Sequence, residues 1–476
     1  MFEQMLPYRA RLYSNRPAVW TEAGEVGYAK FNSDVDRVAL ALRSAEVSKG
    51  AKVLIDVSRP SLHWLFILAL ERLGCVTVSA ALTGGGDAVI RVVRPDLIVS
   101  TKPASTFAAD QRLVSVTNEW LAACMAVSRP EFKRELGLPD DVVRITLSSG
   151  TTGKPKQIPL TRKLVDARLA LTAVPMDVAL RSITTMPPSA IGGFIQPLAT
   201  WWAGGLIALP ADFSQEALAA SKANNLVMST QQLATYVANY PEAFVGVTNT
   251  TVWVGGSVVP SSLLGELARR GDAQVFVGYG STEAGLVSLA QGDLALRHPG
   301  SVGYLSPGAR VEIVDSDNQP LPTGEAGEVR IRTSGLIDRY LDEDGDADSC
   351  FRDGWFHPGD VGRLLPSEEL IIQGRVDDLI NIGGVKMFPE TIEEFVGQWP
   401  GITDSAAIAL PASSGRWVLT AIICTDTDVD LDALEIVLKD RFKVPAKVFQ
   451  AGSIPRNEMG KINRHALPDV VRQAIS

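Results

Sequence analysis

The sequence contains few cysteines and few histidines, four of each among its 476 residues. The cysteines lie far apart and form no Cys-x-x-Cys pair. This spacing disfavours a disulfide framework and a cysteine-based zinc site, so we expect thiols that are buried or at the surface. The histidines are equally scattered and disfavour a histidine-based metal centre. The cysteines are Cys75, Cys124, Cys350 and Cys424.

Long apolar runs and an excess of basic residues are also missing. Among the longest apolar stretches is LHWLFILALERLG, which reaches charged residues before it could span a bilayer. The N-terminal stretch MFEQMLPYRARLY contains Glu3 and has no apolar core of the kind found in secretory signals. The net charge of -9 disfavours a nucleic-acid binder, because phosphate backbones are held by clustered Lys and Arg. We therefore expect a cytoplasmic protein with no membrane span and no nucleic-acid partner.

Strand-like and helix-like segments alternate along most of the chain, whose length suggests about two to four domains. The segments AKVLIDV, LHWLFILALERLG and CVTVSAAL follow one another as strand, helix and strand. This alternation is typical of parallel strands joined by crossover helices. Short strands and turns dominate between Gly303 and Arg332, and the C-terminal part has its own helix and strand pattern. The sequence predicts an α/β fold, with a large N-terminal domain that includes a β-rich subdomain and a small α+β C-terminal domain.

The segment LSSGTTGKPKQIPLT, residues 147–161, concentrates hydroxyl residues, glycines and lysines. Such a loop lets backbone N–H groups converge on an anion, because glycine adopts positive φ and small side chains permit close approach. A strand is predicted before it at 141–146, and a helical pattern starts at Leu164. Only two residues separate Gly150 from Gly153, so the spacing of a P-loop is not met. The segment predicts a phosphate-binding loop, with an ordinary polar surface turn as the alternative.

The segment VGYGSTEAG places an aromatic residue, a hydroxyl and a carboxylate directly after a predicted strand. Tyr279 could stack on a base, and Thr282 could donate to a phosphate oxygen. Glu283 could hold Mg²⁺, which prefers oxygen ligands. A plain turn is the alternative for this segment.

Three later segments each offer one candidate side chain. GWFHPGDVGRL presents Asp360 in a turn, where a carboxylate can accept the two hydroxyls of a ribose or bond to its own backbone. GRVDDLINIGG places Arg375 beside a suspected domain joint, between Arg375 and Asp378, where a lone arginine would otherwise be a surface charge. IPRNEMGKINRHAL carries Lys461, which by itself would be a solvated lysine of the tail.

Five of these motifs occur together in one order: SSGTTGKPK, YGSTE, GWFHPGD, GRVDD and PRNEMGK. In order and approximate spacing they resemble the adenylate-forming superfamily of acyl-CoA synthetases, peptide-synthetase adenylation domains and beetle luciferases. The resemblance covers nearly the whole chain and is closest in type to an acyl- or aryl-CoA ligase. It implies ATP and Mg²⁺ as cofactors, an N-terminal domain over 1–376 and a mobile C-terminal domain over 377–476. Asp377 matches the hinge position of the family.

The resemblance also assigns roles to matched positions in this sequence. The phosphates of ATP would contact Ser148, Ser149, Gly150, Thr151, Thr152, Gly153 and Lys156. Gly255 and Gly256 would lie beside adenine, and Tyr279 would stack on it. Gly280, the next residue, would also belong to the nucleotide site. Thr282 would contact the α-phosphate, and Glu283 would bind magnesium. Asp360 and Arg375 would hold the ribose, and Lys461 would bridge the substrate carboxylate and ATP.

The acyl pocket departs from the family pattern in the segment MPPSAIGGFIQP. Ala190 replaces a histidine found in many members. Ile191 stands where amino-acid-activating members have an aspartate, and an apolar side chain cannot pair with an ammonium group. An α-amino acid is therefore disfavoured, and an aryl, cyclic or acyl carboxylic acid is expected. The expected pocket walls, for which core packing is the alternative, are Ala190, Ile191, Gly192, Gly193, Phe194 and Gly278.

The loop after the hinge departs from the family as well. Lysines that are frequent there in acyl-CoA synthetases appear as Asn381 and Gly383, whereas Gly384 and Lys386 remain. We expect coenzyme A as the acceptor, with Gly384 at the thiol channel. A carrier-protein phosphopantetheine or an amine stays open as the acceptor. From another class, a non-catalytic nucleotide-binding homologue is the rival, which would not require the full set of matched polar residues.

Overall fold

The computed structural model describes residues 2–82, 86–128, 132, 137–148, 155–173, 176–246, 249–271, 273–341, 350–412, 415–457 and 460–475. In these residues the helices are α1 Phe2–Leu12, α2 Tyr28–Ser44, α3 Pro60–Arg72, α4 Gly86–Val93, α5 Asn118–Met125, α6 Arg162–Ala173, α7 Ile191–Ala203, α8 Gln215–Ser221, α9 Thr230–Asn239, α10 Ser261–Arg270, α11 Gly292–Arg297, α12 Pro389–Gly397, α13 Leu431–Phe442 and α14 Leu467–Ile475. The strands are β1 Pro17–Thr21, β2 Gly24–Gly27, β3 Lys52–Asp56, β4 Val76–Ser79, β5 Leu97–Ser100, β6 Leu113–Ser115, β7 Val142–Ser148, β8 Lys156–Thr161, β9 Arg181–Thr184, β10 Leu206–Ala208, β11 Asn225–Ser229, β12 Thr251–Gly255, β13 Gln274–Ser281, β14 Gly285–Gln291, β15 Ser301–Leu305, β16 Arg310–Val314, β17 Gly327–Arg332, β18 Phe351–Arg352, β19 Trp355–Phe356, β20 Asp360–Leu364, β21 Leu370–Arg375, β22 Ile380–Ile382, β23 Val385–Met387, β24 Ile402–Pro411, β25 Trp417–Thr425 and β26 Ala446–Gln450.

The chain divides into two compact units. The first unit comprises Met1–Val227, Gly280–Leu286 and Arg332–Phe356. One of its sheets has the order β6-β5-β3-β4-β7-β8, in which β8 alone is antiparallel to its neighbour. In another group of strands, β1, β10, β9 and β11 run parallel and β2 is antiparallel to β1. The predicted parallel α/β architecture is thus confirmed.

The core of the first unit is built from apolar helix faces and β-branched strand residues. Trp64 of α3 and Trp201 of α7 are almost fully buried and meet edge to face, with ring centroids 5.2 Å apart. Phe31 of α2 packs against Trp201 at 5.2 Å. Large aromatic side chains bury much apolar area, and such contacts stabilise the packing of helices on a sheet. These contacts join α2, α3 and α7 in the core of the first unit.

The second unit comprises Met228–Tyr279, Val287–Ile331 and His357–Ser476. Its strands β12 and β13 are parallel, and β14, β15, β21, β20 and β17 follow one another as antiparallel neighbours. This antiparallel region agrees with the β-rich segment predicted around residues 303–332. Asn318 adopts a positive φ of 60° in the turn after β16, a conformation that asparagine tolerates.

The C-terminal part of the second unit has a hydrophobic core whose buried residues all lie between Ile380 and Val448. The sequence of this part, PETIEEFVGQWP, DSAAIAL, WVLTAIICTD and LDALEIVLKDRF, predicts helix, strand, strand and helix, which correspond to α12, β24, β25 and α13. The parallel strand β26 and helix α14 were not predicted. A domain boundary between residues 376 and 377 stays a prediction.

Two expectations about the whole chain can be compared with the structure. The four cysteines are free thiols, of which Cys75 and Cys124 are buried and Cys350 and Cys424 are partly exposed. This agrees with the expectation from their spacing. Within the described residues, the structure contains no helix with the length and apolar character needed to cross a membrane.

Candidate active site

The predicted phosphate loop connects two antiparallel strands of the first unit. Strand β7 ends at Ser148 and β8 begins at Lys156, and these two residues are register partners. The loop residues Ser149, Gly150, Thr151, Thr152 and Gly153 lie outside the described residues. The predicted strand and the following helix are present, although α6 begins at Arg162 rather than at Leu164. Strand β8 was not predicted, and it contains Pro159, which a strand at the edge of a sheet tolerates.

The turn between β13 and β14 carries the candidate magnesium ligand. A Cβ atom at Gly280 would lie 2.2 Å from the carbonyl oxygen of Gly285. The backbones at these two positions are therefore so close that only glycine fits at position 280. The hydroxyl of Ser281 accepts a hydrogen bond from the amide of Ala284 at 3.0 Å. These contacts form a tight turn over residues 282–284 that includes Thr282 and Glu283.

The carboxylate of Glu283 is bound by a tyrosine that sequence reasoning missed. The hydroxyl of Tyr340 donates to Oε1 of Glu283 at 2.9 Å. Burial, followed by the nearby Glu283 carboxylate, raises the pKa of Tyr340, so its phenol stays protonated and acts as the donor. Among the described residues, Glu283 forms no ion pair. The two residues are 57 positions apart in the chain, and no short motif links them.

The same tyrosine contacts the candidate phosphate-binding lysine. Nζ of Lys156 lies 4.7 Å from the centroid of the Tyr340 ring, within the range of a cation–π interaction. Sγ of Cys350 lies 3.8 Å from the Tyr340 hydroxyl. Tyr340 therefore contacts both the lysine of the predicted phosphate-binding segment and the carboxylate of the β13–β14 turn.

A buried arginine, also missed from the sequence, holds the backbone of this turn. Nη2 of Arg168, on α6, donates to the carbonyl of Glu283 at 2.8 Å and to that of Gly335 at 2.7 Å. A Cβ atom at Gly335 would lie 2.9 Å from the Arg168 side chain, which explains the glycine. Burial lowers the pKa of Arg168 to about 10, so its charge is retained at neutral pH. The side chain fixes the position of the Glu283 backbone.

The donor set around Glu283 limits how a metal could be held. Within the described part of the chain, no group of three or more His, Cys, Asp or Glu is arranged to hold a metal ion. Magnesium is commonly bound by one or two carboxylates together with substrate phosphates and water. A single carboxylate at Glu283 fits a magnesium ion that arrives with a nucleotide.

The second unit contains a second tyrosine–carboxylate pair. The hydroxyl of Tyr279 donates to Oδ2 of Asp360 at 2.6 Å. Nη1 of Arg375 lies 3.4 Å from Oδ1 of Asp360, and its Nη2 donates to the carbonyl of Pro358 at 2.9 Å. Burial, followed by the Asp360 carboxylate, raises the pKa of Tyr279 well above its usual value. Both carboxylate oxygens contact side chains, which disfavours the alternative that Asp360 only bonds to its own turn.

Register explains why Asp360 and Arg375 meet. Strands β20 and β21 are antiparallel, and Asp360 at the start of β20 is the partner of Arg375 at the end of β21. The separate motifs GWFHPGD and GRVDD therefore converge on one point. Arg375 is held there by a carboxylate and a carbonyl, although its side chain is 41% exposed.

Glycines allow β12 and β13 to lie close together. Gly255 pairs with Gly278, and a Cβ atom at Gly255 would lie 2.6 Å from the Gly278 carbonyl oxygen. Gly256 follows with a positive φ of 91°. The backbone here requires glycine, and the roles of Gly255 and Gly256 beside adenine and of Gly278 in the acyl pocket stay predictions.

The predicted acyl-pocket residues lie at the start of α7. Ala190 is the N-cap, and Ala190, Ile191 and Gly192 are half-buried. Gly193 is buried, and a Cβ atom there would lie 2.1 Å from the carbonyl oxygen of Pro187. The glycine is thus required for close packing of the helix on the preceding loop. The roles of these residues as pocket walls stay predictions.

Phe194 lies deeper than its neighbours, at 1% exposure. Its ring stacks on Trp64 with centroids 6.0 Å apart, and the guanidinium carbon of Arg144 lies 4.3 Å from its centroid. This burial favours core packing, the alternative that was left open for Phe194.

The predicted hinge and thiol-channel positions lie in short turns. Asp377 belongs to the 3-10 turn Val376–Asp378. Gly384, with a positive φ of 89°, lies in the hairpin between β22 and β23, and its amide donates to the side chain of Asn381 at 3.1 Å. The Asn381 side chain therefore stabilises the turn at Gly384, and the roles of Asp377 as hinge and of Gly384 at the thiol channel stay predictions.

Lys461 is exposed and lies in a tight loop. Its amide donates to Oδ1 of Asn457 at 3.0 Å, and the Asn457 amide donates to the Lys461 carbonyl at 2.9 Å. Gly460 has a positive φ of 77°, and a Cβ atom there would lie 2.4 Å from Cβ of Gln231 on α9. The loop backbone is thus held while the side chain is exposed.

Comparison with known proteins identifies relatives over nearly the whole chain. A family model described as AMP-binding enzyme matches residues 6–341. The 4-chlorobenzoate–CoA ligase of Arthrobacter sp is 24% identical, over 92% of this chain and 89% of that protein. The fatty acid–[acyl-carrier-protein] ligase ScoC of Streptomyces coeruleorubidus is 25% identical, over 98% and 95%. The crystal structure of ATP-bound MatB from Rhodopseudomonas palustris has a TM-score of 0.88 at 22% identity, covers 100% of both chains and shows a shared fold.

Proposed function

This chain belongs to the AMP-binding enzyme family, and we propose that it is an AMP-forming acid–CoA ligase. In the first step a carboxylate attacks the α-phosphate of ATP, which yields an acyl-adenylate and pyrophosphate. In the second step the thiol of coenzyme A attacks the acyl carbonyl and AMP leaves. The match to this family confirms the resemblance that was predicted from the five sequence motifs.

The observation that carries the proposal is the arrangement of Lys156, Tyr340 and Glu283. The attack of one anion on another is slow unless charge is neutralised at fixed positions. Lys156 supplies a positive charge for phosphate oxygens. Glu283 supplies the negative charge that would bind magnesium. Among the described residues, no cation is paired with its carboxylate. Magnesium, when bound, would neutralise phosphate charge as the α-phosphate is attacked, with Thr282 beside it in the same turn.

The second cluster supports binding of a nucleoside. The Asp360 carboxylate is oriented by Tyr279 and Arg375 and can accept hydrogen bonds from two adjacent hydroxyl groups. A ribose offers such a pair. The ring of Tyr279 is held through its hydroxyl, which supports its proposed role as a stacking surface for adenine, next to Gly255 and Gly256.

The class of acid follows from the apolar start of α7. Ile191 is half-buried there and offers no charge to an ammonium group. We propose a non-amino aryl, cyclic or acyl acid as substrate. Coenzyme A is the proposed acceptor, because one relative described above is named as a CoA ligase. ScoC, named as an acyl-carrier-protein ligase, keeps carrier-protein phosphopantetheine as the second candidate.

Acid-dependent exchange of pyrophosphate into ATP tests the first step directly. A panel of aryl, cyclic and aliphatic acids and their α-amino analogues is assayed with Mg²⁺. At least one simple acid should support exchange, and thioester should then appear with coenzyme A. Thioester on a carrier protein alone would favour the second acceptor. The absence of exchange with every acid would favour the non-catalytic nucleotide-binding rival.

Replacement of Lys461 tests the proposed role of the C-terminal part. Lys461→Ala should slow adenylation by about 10²-fold, the loss expected for one positioned charge in a transition state. Thioester formation from supplied acyl-adenylate should persist. Lys439→Ala, an exposed lysine on α13, is the matched control and should leave both steps intact. An adenylation rate in the Lys461 variant equal to that of the control contradicts the assignment.

A further inference from the structure

The segment 333–341 joins the Glu283 turn to the strand that follows the predicted phosphate loop. At its beginning, the hydroxyl of Thr333 donates to the carbonyl of Ala284 at 2.7 Å. In its middle, the amide of Ile337 donates to the carbonyl of Glu283 at 3.1 Å. At its end, the amide of Leu341 donates to the carbonyl of Gln157, on β8, at 3.0 Å. We call residues 333–341 the brace.

Tyr340 is the residue of the brace that reaches both candidate reactive groups. Its hydroxyl is bound to the Glu283 carboxylate at 2.9 Å, and its ring faces Nζ of Lys156 at 4.7 Å. Its side chain is almost fully buried, at 5% exposure, and its ring also meets Phe351 edge to face at 5.3 Å. The ring is therefore fixed by packing and cannot swing away from either group without loss of these contacts.

Lys156 and Glu283 have opposite charges, and a direct ion pair between them would neutralise the groups that ATP and magnesium need. Among the described residues, neither forms an ion pair. Tyr340 binds each by a different part of its side chain. The ring face attracts the ammonium, and the hydroxyl donates to the carboxylate. One side chain thus contacts both charged groups, and neither group is paired with the other.

We propose that Tyr340 is a positioning residue for the adenylation step, which sets Glu283 for magnesium through its hydroxyl and Lys156 for the nucleotide phosphates through its ring. This inference rests on the proposed function. It predicts that the two halves of the tyrosine have separable effects, because the hydroxyl serves only the metal side and the ring serves only the lysine side.

Tyr340→Phe removes the hydroxyl and keeps the ring. We expect the magnesium concentration for half-maximal ATP binding, measured by calorimetry, to rise about tenfold, the lower end of the effect of losing a partner of a metal ligand. ATP binding in the presence of EDTA and KM for the acid should be unchanged. A purely structural role of Tyr340 would instead alter these quantities together.

Tyr340→Leu and Tyr340→Met remove both the hydroxyl and the aromatic face. We expect the same change in magnesium dependence and, in addition, about fivefold weaker ATP binding in EDTA, the size of a partly buried cation–π contact. Two replacements are used so that the ring effect does not depend on one variant, and thermal unfolding checks that each is folded. Tyr304→Phe, at an exposed tyrosine on β15, is the matched control and should behave as wild type.

Wild-type magnesium dependence in Tyr340→Phe overturns the proposal, whatever the other variants do. A non-aromatic variant that folds and equals Tyr340→Phe in metal-free ATP binding overturns its ring half. These results are distinct from failure of the proposed function, in which the wild-type protein would itself show neither ATP binding nor acid-dependent exchange.

Discussion

The two tyrosine–carboxylate pairs of this chain differ in where the neighbouring cation lies. In the first unit, Tyr340 donates to Glu283, and Lys156 contacts the ring of the tyrosine. In the second unit, Tyr279 donates to Asp360, and Arg375 contacts the carboxylate itself. The Glu283 carboxylate therefore has no ion pair among the described residues, whereas the Asp360 carboxylate is paired with Arg375.

This difference matches what each carboxylate is proposed to bind. A carboxylate that binds a divalent cation needs an oxygen that is not paired directly with a side-chain cation, because such a pair would compete with the metal for that oxygen. A carboxylate that accepts hydrogen bonds from neutral hydroxyls can share its charge with an arginine and gains orientation from it. Substitution of the carboxylate in each pair should therefore produce a different kinetic defect.

The largest effect is expected for Glu283→Gln, which keeps the size of the side chain and removes its charge. Adenylation should slow by about 10²-fold or more, because one positioned electrostatic group of the transition state is lost. Pyrophosphate exchange measures the rate, and excess Mg²⁺ should restore only part of it. Glu325→Gln, at an exposed carboxylate, is the matched control. If the Glu283→Gln variant exchanges pyrophosphate as fast as the control variant, Glu283 is not part of the proposed site.

A smaller and different defect is expected for Asp360→Asn. KM for ATP should rise about tenfold, as expected for loss of a charged hydrogen-bond acceptor, while the magnesium dependence stays at the wild-type value. The discrimination between ATP and 2′-deoxy-ATP should decrease, because the asparagine accepts fewer hydroxyl protons. If the variant retains full discrimination, Asp360 does not bind the ribose.

The contrast between local and distant contacts explains how much of this site the sequence could predict. Strand β7 and helix α6 follow local patterns of alternation and apolar spacing, and they were predicted at nearly the right places. The segment VGYGSTEAG was expected after a strand, whereas β13 extends through Tyr279 to Ser281. The convergence of Asp360 and Arg375 requires the β20–β21 register, which no local pattern contains. Only the family resemblance predicted a shared role for them.

Tyr340 and Arg168 could not be predicted because neither belongs to a motif with a recognisable chemical pattern. Arg168 is one of several charged residues on α6, and its burial depends on the carbonyls of Glu283 and Gly335, which lie far along the chain. Phe194 illustrates the opposite case. Its motif suggested a pocket wall, whereas helical geometry and a stacked tryptophan favour burial in the core.

Tyr279→Phe tests whether the two tyrosines act on separate carboxylates. It should raise KM for ATP by about fivefold, because one hydrogen bond that orients Asp360 is lost. Unlike Tyr340→Phe, it should leave the magnesium dependence of ATP binding unchanged. The two phenylalanine variants are measured side by side by calorimetry. A shift of magnesium dependence in both variants would mean that the hydroxyls act on overall stability rather than on separate groups.

A third buried network, without a carboxylate at its centre, should affect stability and not activity. Nη2 of Arg144 donates to Oγ of Ser79 at 2.9 Å, and Ser79 lies 2.7 Å from Nε2 of His63. Nδ1 of His63 lies 2.8 Å from the carbonyl of Val57, which can only accept. Nδ1 must therefore carry the proton, and neutral Nε2 accepts from the serine. Burial lowers the pKa of His63 from 6.5 to about 4.

The sign of the pH dependence follows from this lowered pKa. Above pH 6.5 His63 is neutral in both the folded and unfolded states, and the network contributes fully. As the pH falls from 6.5 towards 4 the unfolded state binds the proton first, so up to about 3 kcal/mol of stability is lost. In His63→Gln, the side-chain amide can donate to the Val57 carbonyl, and the side-chain carbonyl can accept from Ser79. The urea midpoint of unfolding should therefore depend less on pH in this range. Activity at neutral pH should be retained. His465→Gln, at an exposed histidine, is the control, and equal pH dependence of wild type and His63→Gln would show that protonation of His63 does not limit stability.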